Sequence, residues 1–302
     1  MPRVAGILHA FVTFNQKREY MLLGAHMSIA GGVQNAPLLA ASVGCTALQI
    51  FTKSSNQWKA KPFAEGEAEA FKKNVANNGI KSVVAHDAYL INLASPDDAL
   101  YKKSIEAFVE EMQRCAILGI PVLIMHPGAP LEMGDDYGIA RVASAFDIIH
   151  AETADCGVHI AIEITAGQGS HIGRTFEQVA GIIKKTKKGD LLRVCFDTCH
   201  AFAAGYDLST EEGYHDTWKQ FDRIIGLDRL AAIHVNDSVK GLGSRVDRHD
   251  HIGKGAMGLT PFKLLMQDKR LAHVPKILET PKEKDLEDDR INLGLLRSLA
   301  AA

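Results

Sequence analysis

The sequence has no Cys-x-x-Cys pair, and its five cysteines are an odd number. That leaves no paired-thiolate motif and no complete disulfide scaffold to look for. Cys45, Cys115, Cys156, Cys195 and Cys199 mostly sit among apolar residues, so buried, reduced thiols and a cytoplasmic location are expected. No apolar run approaches the roughly 18 residues of a membrane span, so a membrane partner is not expected. There is no Ser/Gly-rich linker and no break in composition along the 302 residues. An excess of positive charge is also missing: the formal net charge is −2, so any nucleic-acid surface must be local. What is present, 46% hydrophobic and 23% charged residues, matches an ordinary soluble globular protein.

Eight short apolar runs punctuate the chain: Leu22–His26, Ala47–Phe51, Ser82–His86, Pro121–His126, His159–Glu163, Arg193–Asp197, Ala231–His234 and Lys276–Glu279. Their ends lie 25 to 45 residues apart, room for one strand, one helix and two loops. Eight such units predict a single α/β domain, a (β/α)8 TIM barrel over residues 21–302, a fold that takes about 250 residues and carries its active site at the C-terminal ends of its strands. Residues 1–20 precede the first strand and are expected to be an alternative start or a dispensable extension.

The intervening helices have recognisable ends. Ser95-Pro-Asp-Asp98 offers an N-cap, a proline at the first helical position and acids in the first turn. Ile105, Phe108, Val109, Met112 and Cys115 then share one face, and Gly119 ends the helix. Thr260-Pro261 is expected to open another helix in the same way. Further helices are expected near 34–43, 66–78, 138–155, 175–187, 210–225 and 284–300.

Most of the eight runs end on a side chain that can bind metal. Asp197 closes one, with His200 three residues on and a small-residue segment, Ala201 to Gly205, with room for a ligand beyond. Alone, such a pair is more often a turn aspartate beside a solvated histidine. Repetition changes the reading. Of thirteen histidines, His86, His126, His200, His234 and His249 lie at strand ends or in rim loops, level with Glu163, Asp197, Asp247 and Glu279. The loop 236–255 holds four glycines, four basic residues and Asp247-x-His249, whose side chains share one side of an extended segment. Nine nitrogen and oxygen donors exceed the three or four of one tetrahedral zinc and fit two or three ions. The imidazole share favours zinc, manganese or iron over magnesium. Such a cluster suits hydrolysis of a phosphoryl group. His26 is read as structural or as packing behind the ligands. His9, His150, His159, His171, His215, His251 and His273 are read as surface or structural.

The motifs GAHMSIAGG (24–32), HDAYLINL (86–93), HPGA (126–129), IEITAGQG (162–169), DTCHAFAAGYD (197–207), HVNDS (234–238), GSRVDRHDHIGKG (243–255) and ILET (277–280) carry a resemblance. In that order they resemble endonuclease IV, a zinc-dependent family of apurinic/apyrimidinic (AP) endonucleases with a TIM-barrel fold. The resemblance covers essentially all of 21–302. It implies three zinc ions, with manganese or iron as partial substitutes. The first would be held by His86, His126 and Glu163. The second would share Glu163 and add Asp197, His234 and Glu279. The third would take His200, Asp247 and His249. It further implies a monomer acting on double-stranded DNA with abasic sites, cleaving 5′ to the lesion and trimming blocked 3′ ends, with Glu163 and Glu279 placing the attacking water. Asn56, Gln57, Tyr89, Leu90, Asn92, Arg245 and Arg248 would contact DNA, and Lys53, Lys240 and Lys254 would add charge at the rim. Two positions depart from the common pattern: Ile164 stands where asparagine is frequent, and Asn56 aligns with an arginine that helps fill the DNA stack. A metal-dependent sugar isomerase or epimerase on a related barrel is the alternative, although it would need fewer imidazoles and no basic loop. A catalytically idle binding barrel would be expected to have lost a ligand.

Overall fold

The computed structural model describes residues 21–301 apart from 155 and 284. The expected extension, 1–20, and His9 within it lie outside the described residues. Strands β1 (Leu23–His26), β2 (Ala47–Phe51), β3 (Ser82–His86), β4 (Val122–Met125), β5 (His159–Glu163), β6 (Arg193–Asp197) and β7 (Leu230–His234) run parallel. A small antiparallel ribbon, β8 (Asp237–Ser238) with β9 (His249–Asp250), follows inside the long loop. Strand β10 (Lys276–Leu278) then pairs with both β7 and β1 and closes the eight-stranded barrel. The expected (β/α)8 barrel is thus the observed fold. The strand limits differ from the sequence reading by a residue or so. Pro121 and His126 flank β4, Glu279 sits just past β10, and Leu230 joins β7.

The helices are α1 (Ala36–Ser42), α2 (Glu67–Asn77), α3 (Asp98–Leu118), α4 (Asp135–Glu152), α5 (Phe176–Lys185), α6 (Thr198–Ala204), α7 (Glu211–Ile224), α8 (Thr260–Gln267) and α9 (Glu287–Ala301). Their apolar faces cover the barrel, as Ile105, Phe108, Val109, Met112 and Cys115 of α3 do. Three expectations need correction. The cap of α3 is Asp97, whose carboxylate accepts from Leu100 N at 2.8 Å, while Ser95 Oγ accepts from Asp97 N instead. Pro96 favours an extended residue before it, which moves the start of the helix two positions on. Thr260 and Pro261 are already helical, and the residue before them, Leu259, provides no side-chain cap. The segment Ala201 to Gly205 is not an open ledge. Residues 201–204 belong to the buried helix α6, which is capped by Asp197, rich in alanine and ended by Gly205 at φ 115°.

Inside the barrel a layer of mostly small or branched residues (Ala47, Val84, Ile124, Ala161, Cys195, Ala232 and Ile277) fills the axis. Gly24 shows how tightly the ring closes. A Cβ there would lie 1.8 Å from the Ala47 carbonyl oxygen on the neighbouring strand. Gly24→Ala therefore forces two paired backbones apart. We expect it to lower unfolding free energy by about 3 kcal/mol, the upper range for overpacking, measured by chemical denaturation.

Candidate metal centre

The parallel register sets the heights of the rim residues. Asp197 pairs with His234, Phe51 with His86, and Glu163 with Cys195. Because alternate residues point into the barrel, the polar ends of β3, β5, β6 and β7 converge on the axis above the apolar layer. The loop after β7 is folded back by the β8–β9 ribbon. It is stapled at its base by Asp237, whose carboxylate accepts from Gly255 N and Met257 N. This brings Asp247 and His249 to His200.

All nine residues singled out in the sequence meet here, in three groups whose ligand atoms lie within 4.8 Å of one another. They are His86, His126 and Glu163; Glu163, Asp197, His234 and Glu279; and His200, Asp247 and His249. Glu163 is fully buried and uses both oxygens. Oε2 faces His86 Nε2 at 3.0 Å and His126 Nε2 at 3.3 Å, while Oε1 faces His200 Nδ1 at 3.0 Å and His234 Nδ1 at 3.1 Å. Glu279 Oε2 lies 3.2 Å from His234 Nδ1. In the third group, Asp247 Oδ1 is 3.2 Å from His200 Nε2 and 3.4 Å from His249 Nε2.

One nitrogen of each of four rings is tied down in a way that fits metal binding. His86 Nδ1 meets its neighbour's carbonyl, Asp87 O, at 2.9 Å; His200 Nδ1 meets Ile164 O at 3.0 Å; His249 Nδ1 meets Glu279 O at 3.1 Å; and His234 Nε2 meets Gln49 Oε1 at 2.8 Å. Each acceptor takes the proton of one ring nitrogen, so that when the ring is neutral the opposite nitrogen offers its lone pair. For the third group the free pair is His200 Nε2 and His249 Nε2, which are 3.3 Å apart. Two lone pairs and a carboxylate converging on one point form a donor set for a cation. Asp197 has two duties. Oδ1 caps α6 through His200 N at 2.8 Å, and Oδ2 is held by Asn236 Nδ2 at 2.7 Å. The turn aspartate of the ordinary reading and the candidate ligand are therefore one residue.

Electrostatics follow from the crowding. Burial opposes ionisation of Glu163, but the facing His234, His126 and His200 outweigh it and hold the carboxyl well below its usual range. Burial likewise disfavours a charged His86, yet Glu163 outweighs it and raises that imidazole to about 9. Two thiols, Cys195 and Cys199, also come within reach of the cluster, which the sequence reading did not foresee. Burial pushes each thiol up to about 12, and a protonated thiol is a poor ligand, so the nitrogen and oxygen donors dominate.

The residues assigned to DNA scatter more. Asn56 and Gln57 are exposed in the loop after β2, and Tyr89 is 67% exposed in the loop after β3, edge-on to Phe51, with Leu90 half-buried beside it. Arg248 is exposed at the mouth of the site. Arg245, at φ 56°, turns its guanidinium to the carbonyls of Gly167 and Gly169. Asn92 does not present a free amide. Its Nδ2 donates to Ala129 O and its Oδ1 accepts from Ala129 N and Ala94 N, bracing the loop after β3 against the loop after β4. Gly128 makes that approach possible, since a Cβ there would sit 2.1 Å from Asn92 Oδ1. Lys53 is the clear correction. It is buried and paired with Glu111 at 2.9 Å, so it adds no charge to the rim, whereas Lys240 and Lys254 are exposed. Ile164 affects the ligands through its backbone oxygen, which any residue would supply.

Sequence reasoning missed Gln49 and Asn236, both fully buried. Gln49 Nε2 also donates to Glu279 Oε1 at 2.5 Å and lies 2.9 Å from His26 Nδ1. Asn236 Oδ1 accepts from Glu279 N at 2.8 Å while its amide holds Asp197. The signal was a lone amide inside the apolar strand Ala47–Phe51, and an asparagine two residues past a rim histidine.

Fold and site together define a TIM-barrel enzyme with a ring of imidazoles and carboxylates at the C-terminal mouth. Residues 37–299 match the family model described as a xylose isomerase-like TIM barrel. A relative from Trichlorobacter lovleyi, named probable endonuclease 4, is 52% identical over 92% of this chain and 99% of its own. The crystal structure of endonuclease IV from Thermus thermophilus superposes with a TM-score of 0.80 at 35% identity, covering 92% of this chain and 98% of that one. A D-tagatose 3-epimerase-like protein superposes at 0.70 with 18% identity over 93% and 98% of the two chains, a likeness of fold alone. The chain belongs to the endonuclease 4 family of AP endonucleases. No described helix is long and apolar enough to cross a membrane.

The raised imidazole gives a pH prediction for chelator-stripped protein. His86 sits at about 9 folded against an ordinary 6.5, so its contribution to stability is full below 6.5 and disappears as pH rises through 9. Thermal melting of the stripped protein should fall between pH 6.5 and 9, and that fall should be smaller in His86→Gln.

Proposed function

We propose that the protein is a metal-dependent DNA-repair hydrolase that cuts the backbone 5′ to an abasic site. It leaves a 3′-hydroxyl and a 5′-deoxyribose phosphate, and also trims blocked 3′ ends. Three zinc ions are the proposed complement, held by the three groups described above. Bound there, they would acidify water and neutralise charge on the phosphoryl group. The observation that carries the reading is the donor set. Nine side chains converge in three groups, two of which share Glu163, and four of the imidazoles have one nitrogen fixed by a carbonyl or amide acceptor.

The chain's own residues do the rest. Glu163 spans two groups and fixes their separation, since each of its oxygens faces a different pair of imidazoles. Glu279 lines the cavity with its side chain 17% exposed, one oxygen pinned by Gln49, and is the carboxylate placed to orient an attacking water. The cavity above the cluster, about 400 Å³, is bounded by Tyr89, Arg248 and Pro281 as well as by the ligands. It has room for an extruded sugar-phosphate, and extrusion costs least where the base is already missing. Arg248, Lys240 and Lys254 are the proposed phosphate contacts, with Tyr89 and Leu90 the wedge at the lesion.

The test uses a duplex with a single abasic analogue and maps the cut. Incision 5′ to the analogue supports the reading, and an intact strand refutes it. Glu163→Gln should lower turnover by about a thousandfold or more and reduce bound metal, because it removes the carboxylate shared by two groups. His251→Ala, whose imidazole meets Asn292 at 3.0 Å away from the cluster, should keep turnover within about twofold.

A further inference from the structure

Helix α3 carries two buried charged residues, Glu111 and Arg114, that the chemistry does not use. Glu111 is fully buried. Its Oε1 accepts from the backbone N of Ala88 at 3.0 Å and faces Lys53 Nζ at 2.9 Å. Lys53 Nζ reaches on to Gln57 O at 2.8 Å. Three residues along the helix, Arg114 donates to Thr52 O through two nitrogens (3.0 and 2.6 Å) and to Lys61 O at 3.0 Å, with its guanidinium 3.8 Å above the Phe63 ring. One carboxylate oxygen therefore takes donors from two different loops. Ala88 is the immediate neighbour of the exposed Tyr89, and Gln57 that of the exposed Asn56.

A buried ion pair is an expensive way to fill space, and an apolar pair of equal volume would often serve stability as well. What the ion pair provides is geometry: a charged acceptor at a fixed height on a long helix, with donors from both sides. We propose that Glu111, through Lys53, is a positioning residue that holds the loop after β2 at a set distance from the loop after β3. The separation of the two tips, Asn56–Gln57 and Tyr89–Leu90, is thereby fixed before DNA arrives. This rests on the reading that both tips contact the lesion-bearing duplex. It assigns to Lys53 a role inside the protein in place of a phosphate contact.

The experiment compares the wild type with Lys53→Arg and with the double variant Lys53→Met/Glu111→Gln. Single neutralisation would leave one charge buried and unpaired, and the protein could fail to fold. In the double variant both charges go, while the glutamine carbonyl still accepts from Ala88. Steady-state incision of the abasic duplex should show KM raised about tenfold in the double variant, with kcat within about twofold, because lost preorganisation weakens binding before it touches chemistry. Lys53→Arg, which keeps the pair, should restore a KM near the wild-type value. A merely structural role would lower the active fraction, and so kcat, and leave KM unchanged; that result would overturn the proposal. Amide exchange decides the tether without reference to substrate. Faster exchange across 54–60 in the double variant, with Ala88 still protected, supports it, and unchanged exchange there overturns it. A wild type that fails to incise at abasic sites would sink the functional reading and leave the exchange result to judge the tether alone.

Discussion

The burial of one charge organises the mouth of this barrel. Glu163 stands at the end of β5 with no exposure to solvent, and an isolated carboxylate there would be prohibitively costly. The cost is met by four imidazoles from four different strand ends or loops, two on each oxygen. Every other feature of the rim serves that arrangement. The strand register brings the residues to comparable heights, the folded-back loop after β7 supplies Asp247 and His249, and α6 starts on Asp197 so that His200 turns inward. A cluster of like donors this dense needs positive charge between them, from protons or from cations, and its donors suit cations.

The layer behind the donors is as specific as the donors themselves. Gln49 alone joins His234, Glu279 and His26, so one amide fixes one tautomer and one carboxylate. Asn236 does the same for Asp197 and the backbone of Glu279. Backbone carbonyls fix His86, His200 and His249, which is why Ile164 in place of a polar residue leaves His200 correctly oriented. Further out, Asn92 and Glu111 brace the loops that stand around the mouth. Moving outward, the structure passes from donors that hold charge, to amides that aim them, to braces that space the loops.

How much of this was legible follows from what carries each feature. The barrel was legible because its strands are local: short apolar runs at regular intervals read the same in one dimension as in three. The nine donors were legible because six of them stand at or next to strand ends, His200 lies one helical turn beyond Asp197, and two lie in one polar loop. Gln49, Asn236 and Glu111 were not, because a buried amide or carboxylate is recognised by its partners, and those are distant in sequence. Gln49 and Glu279 are 230 positions apart. Lys53 was misread for the same reason: in sequence it is a basic residue in a rim loop, and only its partner on α3 reveals that it is buried. The caps of α3 and α8 were misplaced by a residue or two, since proline permits several starts to a helix and side-chain geometry chooses among them.

In the proposed function the nine donors form three cation sites that act as one centre. Metal content per chain, determined by elemental analysis on protein that incises an abasic duplex at full rate, tests it most directly. Close to three equivalents of zinc are expected. A fully active preparation holding one equivalent or none would contradict it.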